Sequence, residues 1–136
     1  MKSTKTKIIL GIMLFAVSAE LFSNSVDMET AKTVAQNFER RIRSVSKMVS
    51  DVVTERFEGQ NSFYVVNFRE GGWVMVSAES STVPVLAYSE GDTYSSEDER
   101  PDGFLYLVED YKLQIDASRR MGSIRNDRIT ECGINC

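Results

Sequence analysis

Histidine is absent from all 136 residues. That absence removes the commonest general base and the commonest metal ligand. Cysteine is almost as scarce: Cys132 and Cys136 are the whole supply, both at the C-terminus. A Cys–His nucleophilic pair therefore has no second member. Two thiols with no further Cys or His also fall short of a structural zinc site. In an exported chain they are expected to close a small disulfide loop, worth at most roughly 2 kcal/mol by loop entropy. Their three-residue spacing does not match a redox CxxC motif. Basic residues are scattered rather than clustered, and the formal charge is −4. Neither nucleic acid nor an anionic membrane is indicated as a partner. Carboxylates such as Asp51, Glu55 and Glu109 are read as solvated charge, so no catalytic residue, cofactor or metal is expected.

The only long apolar run stands at the beginning. Lys2, Lys5 and Lys7 precede an apolar stretch over residues 8–17, and small residues follow at Val17-Ser18-Ala19 and Ser23-Asn24-Ser25. This order is that of a secretory signal peptide. Glu20 interrupts the run before the about 20 apolar residues that a spanning helix needs. Residues 1–25 are thus expected to be a signal peptide, with cleavage after Ser25, or alternatively after Ala19. The product would be exported, periplasmic or secreted, without stable membrane insertion. Cleavage after Ser25 leaves 111 residues, enough for one domain, and shifts the formal charge to −6 by removing three lysines and Glu20.

The mature chain reads as a single α+β domain over residues 26–120, followed by a tail, residues 121–136. Asp27 is the expected N-cap of a first helix, with Glu29 in its first turn. Met28, Ala31, Val34, Ala35, Phe38, Ile42 and Val45 form its apolar stripe, and Lys32, Gln36, Glu39, Arg40 and Arg43 the opposite side. Four β-rich segments follow, at residues 48–57, 63–68, 73–77 and 85–89. Gly71-Gly72 supplies a tight hairpin, and Pro84 stands just before the fourth strand. Short turns require an antiparallel sheet. Of the aromatics Phe63, Tyr64, Phe68, Trp73 and Tyr88, alternation predicts about half in the core and the rest facing solvent or a partner. Asn67 and Ser77, at strand ends, are expected to bond backbone. Residues 90–103 form a solvated loop, acidic in its second half. A second helix starts near Asp102, buries Phe104, Leu107, Val108, Tyr111 and Ile115, and closes at Arg119 and Arg120. The architecture predicted is a four-stranded antiparallel sheet with an N-terminal and a C-terminal helix packed on it.

Several of these segments resemble the propeptide of streptopain and its bacterial relatives. They are Phe63-Tyr64-Val65-Val66-Asn67, the Gly71-Gly72 hairpin, Trp73-Val74-Met75-Val76-Ser77-Ala78, and Pro84-Val85-Leu86-Ala87-Tyr88-Ser89. Leu107-Val108-Glu109-Asp110-Tyr111 with Gln114-Ile115 is similar to that family's second helix, and the resemblance spans roughly residues 28–118. It implies an inhibitor that occludes the active-site cleft of a streptopain-type cysteine peptidase, a monomer when free. The alternatives are a folding assistant for a separately encoded peptidase and a non-inhibitory binding module of the cell envelope. In the family the segment before the last helix approaches the cleft through an Asn. The corresponding residues 93–104 hold no Asn, and Asp102 or Gly103 falls nearest its place. The resemblance thus points to Tyr94, Pro101, Asp102, Gly103 and Phe104 as partner-binding residues.

Overall fold

The computed structural model describes residues 24–135. The expected signal segment up to residue 23, and with it the alternative cleavage site after Ala19, lies outside the described residues, as does the pairing of Cys132 with Cys136. The element order is α1 (Met28–Arg43), β1 (Val49–Phe57), β2 (Gln60–Phe68), β3 (Trp73–Ser77), β4 (Val85–Ser89) and α2 (Asp102–Asn135). The sheet is an antiparallel meander in the order β1-β2-β3-β4, so β1 and β4 are its edges. This is the α+β architecture the sequence predicts.

Local chemistry sets the boundaries. Asp27 holds an extended backbone and its carboxylate accepts from the Thr30 N–H at 2.7 Å, so α1 begins where an N-cap is available. The same hydrogen bond holds the Asp27 carboxyl below its usual range. Ser44 ends the helix in the left-handed region at φ 55°, its N–H bonded to the Arg40 carbonyl at 3.1 Å. Glu58 and Gly59, both at positive φ, join β1 to β2 in a two-residue turn. Gly71 and Gly72 take φ 92° and 87° between β2 and β3. A Cβ on Gly72 would stand 2.6 Å from the Ser89 carbonyl oxygen, because the hairpin closes against the end of β4.

The sheet is covered on both faces. On one, Ala31 and Ala35 of α1 pack on Tyr64, Val66 and Phe68 of β2 and on Val74 and Val76 of β3. On the other, Val108 and Ile115 of α2, together with Tyr94, pack on Phe63, Val65, Trp73 and Met75. This corrects the expectation for the aromatics. Phe63, Tyr64, Phe68 and Trp73 are all buried, and only Tyr88, on the edge strand, is exposed. Alternation sorts side chains between faces, and here neither face of the two central strands is wet.

The helices differ from expectation in detail. Glu39, assigned to the polar side of α1, is fully buried. It lies four residues after Ala35, on the same face, and its carboxylate is 3.2 Å from Lys47 Nζ. Lys47 donates to the Gly71 carbonyl at 2.9 Å and sits over the Phe68 ring. Ile42 and Val45, assigned to the apolar stripe, are exposed at the end of α1 and beyond it, past the reach of the sheet. On α2, Leu107 is exposed rather than buried, since one helix on a sheet buries only a narrow stripe. That helix also continues past Arg119 and Arg120 to Asn135, through Gly122. A single helical glycine costs only about 1 kcal/mol, and no proline follows to stop the helix.

Two stability predictions follow from this packing. Gly72→Ala should destabilise the protein by about 2 kcal/mol or more, since it adds strain at positive φ to a backbone clash. Gly59→Ala, with open space around it, should cost only about 1 kcal/mol. Urea midpoints of the two variants read the difference. Lys47→Met should cost roughly 3 kcal/mol by leaving a buried carboxylate unpaired, and adding Glu39→Leu should restore most of that loss in the same titration.

Candidate functional site

The connection from β4 to α2 must carry the chain from one edge of the sheet to the face that α2 covers. It leaves β4 under tight control. The Asp92 carboxylate accepts from the Ser89 hydroxyl, and the Asp92 carbonyl accepts from the Gly72 N–H at 3.0 Å. Tyr94 is then locked down. The Asn67 side-chain amide donates to the Tyr94 carbonyl at 2.9 Å and accepts from the Tyr94 N–H at 2.8 Å. One side chain thus pairs with Tyr94 as a neighbouring strand would, which is the backbone-bonding role expected of Asn67. Ser77 fills the same role, exchanging hydrogen bonds with the Glu79 backbone.

The Tyr94 ring lies edge-on to Trp73 at 5.7 Å, and Trp73 in turn is edge-on to Phe104 at 6.1 Å. Arg100 lies over both loop aromatics, 4.1 Å from the Tyr94 centroid and 4.9 Å from that of Phe104. It also donates to the Ser95 carbonyl. Glu55, on β1, accepts from the Tyr94 hydroxyl at 3.0 Å and from the Ser96 hydroxyl at 2.7 Å, and it pairs with Lys112 of α2 at 3.3 Å. Glu55, Tyr94, Ser96, Arg100 and Lys112 border an open cleft of about 340 Å³ between the loop, β1 and α2, in which Leu105, Val108 and Glu109 complete the wall.

The electrostatics of this network are coherent. Burial pushes the Glu55 carboxyl up, but the hydroxyls of Ser96 and Tyr94 and the Lys112 ammonium outweigh it and hold the group below its usual range. Burial first, and then the Glu55 charge, raise the Tyr94 phenol well above its ordinary value. Lys112 is raised by its bonds to Glu109 and Glu55 despite burial. At neutral pH Glu55 and Lys112 are charged while the Tyr94 phenol keeps the proton it donates, which holds the network intact.

The five residues singled out from the sequence fall into two groups. Tyr94 is buried and Phe104 half-buried, and they are the pins of the loop. Pro101, Asp102 and Gly103 are exposed between those pins, together with Ser96, Glu97, Asp98 and Glu99. Sequence reasoning missed Glu55, Arg100, Lys112 and Trp73 as the loop's support. Strand parity offered one signal: Glu55 lies opposite Phe63, and Val53 opposite Val65, so Glu55 shares their covered face. Among the described residues no group of His, Cys, Asp or Glu is placed to hold a metal ion, and no helix is long and apolar enough to cross a membrane.

The loop is thus fixed at both ends and exposed between them. The chain belongs to the Spi protease inhibitor family, whose model matches residues 23–115. Membership implies a protease as partner. Among curated proteins and among solved structures nothing matches the chain.

The pinning network gives a pH prediction. A carboxyl lowered in the folded state contributes stability above its unfolded value and loses it as pH falls through the folded value. Stability should therefore drop as acid takes Glu55 through the range below its ordinary value of 4.5. Glu55→Gln should cost about 1 kcal/mol at pH 7 and flatten that part of the profile, as measured by thermal unfolding between pH 3 and 7.

Proposed function

We propose that this protein inhibits an exported cysteine peptidase of the streptopain type by covering its active-site cleft with the exposed segment at residues 95–103. The observation that carries this reading is the double anchoring of that segment by Tyr94 and Phe104 within a family of protease inhibitors. Anchoring lowers the ordering cost of binding, so a short exposed segment can contribute affinity without first being fixed. No covalent chemistry is required of the inhibitor. Steric exclusion of substrate is sufficient, and the segment holds no group that must react.

The sign of the surface supports a particular kind of cleft. Glu97, Asp98, Glu99 and Asp102 are exposed, whereas Arg100, the one cation among them, is turned inward over Tyr94 and Phe104. An acidic segment of this kind suits an enzyme whose cleft has a basic rim, through steering and complementarity more than through raw affinity. Export of the inhibitor, drawn from the signal-like N-terminus, would place it in the compartment of an exported peptidase.

The deciding experiment titrates the mature protein into an active streptopain-type peptidase from the same genome, with a papain-like enzyme as control. The expected result is stoichiometric loss of the first activity alone. No inhibition at micromolar concentration would overturn the reading, and an increase in refolding yield without inhibition would replace it with a folding-assistant role. Gly103 then tests the surface. A Cβ there meets nothing within 4 Å and the position is exposed, so Gly103→Trp starts its side chain into open space. It should leave the unfolding midpoint nearly unchanged and weaken inhibition at least tenfold. Unchanged inhibition would remove residues 95–103 from the interface.

A further inference from the structure

The first described residues, which precede α1, are part of the sheet's periphery rather than a free leader. The Asn24 carbonyl accepts from the Ser80 N–H at 2.7 Å, and Ser25 forms an antiparallel bridge with Glu79. The Val26 N–H donates to the Ala78 carbonyl at 2.9 Å, while its own carbonyl accepts from the Tyr64 hydroxyl at 2.9 Å. Asn24 also reaches α2, its amide being the nearest neighbour that a Cβ on Gly122 would meet, at 3.8 Å. The turn it clamps holds Glu79, which is 4% exposed and bonded to Arg119 and Ser81.

Cleavage after Ser25 would discard two of these three residues. It would leave the Ser80 N–H without its acceptor. It would also create a charged ammonium on Val26, immediately before the N-cap Asp27, where the helix dipole of α1 already presents positive charge. The family match also begins upstream of Ser25, at residue 23. The other small-residue site, Val17-Ser18-Ala19, leaves residues 24–26 intact and sets the new ammonium five residues before Ser25.

We propose that the exported chain begins at Glu20, released by a signal peptidase that hydrolyses the Ala19–Glu20 peptide bond, so that residues 24–26 remain as a structural strap. Water supplies the hydroxyl that completes the Ala19 carboxyl group and the hydrogen that completes the Glu20 amine. The inference rests on the export reading, and one experiment separates the two. The full 136-residue chain is expressed in an exporting bacterial host. The protein recovered from periplasm and medium is then examined by intact mass and N-terminal sequencing. Glu20 should be the first residue. Ala19→Leu should accumulate precursor at least tenfold, whereas Ser25→Leu should leave processing unchanged. A start at Val26, or at any other residue, overturns the site alone. Uncleaved precursor in periplasm or medium likewise overturns the site alone, whereas precursor confined to the cytoplasm overturns the site and the export reading together.

Discussion

The structure depends on one constraint: the two central strands are apolar on both faces. Phe63, Val65, Trp73 and Met75 point to one side, and Tyr64, Val66, Val74 and Val76 to the other. An uncovered face of that composition would leave several large side chains in water, at about 1.5–3 kcal/mol each. Each face therefore needs a helix, and the two helices among the described residues are both committed. The first can be reached directly, since α1 precedes the sheet. The second requires the chain to leave the β4 edge and cross beneath the sheet before α2 can dock.

That crossing accounts for the length of the connection and for its anchors. Passing from the fourth strand toward the first means spanning three inter-strand gaps of about 4.8 Å each, in a stretch that cannot itself be a strand. Asn67 and Trp73, paired across β2 and β3, receive Tyr94 on the way, and Glu55 on β1 receives its hydroxyl. The segment beyond is left at the surface with its ends fixed. A topological necessity thereby becomes a presented loop, and the same residues that seal the core hold the candidate interface.

Buried charge gives this arrangement its register. Glu39 with Lys47 ties α1 to the β2–β3 hairpin, Glu55 with Lys112 ties β1 to α2, and Glu79 with Arg119 ties the turn after β3 to α2. Glu39 and Lys47 form a buried pair without an aligned hydrogen bond between them. Such a pair stabilises little on balance, but it penalises any arrangement that separates its members. The three pairs join every layer of the protein to its neighbour.

Much of this was legible in the sequence. The Asp27 cap, the Gly71-Gly72 hairpin, the four strands and their antiparallel order depend on local backbone preferences and short connections, which neighbouring residues settle among themselves. Continuous runs such as Phe63-Tyr64-Val65-Val66 already carried the sign of a strand covered on both sides, although alternation was read as if one side were wet. What only the tertiary structure decided was the fate of side chains whose setting comes from distant parts of the chain. Glu39 is buried because Lys47 and the hairpin close over it, Glu55 is half-buried because Tyr94 and Lys112 arrive from 39 and 57 positions away, and Leu107 is exposed because α2 turns a narrow stripe to the sheet. A carboxylate or a leucine carries the same local propensity in either setting, and burial is conferred by the elements that pack against it.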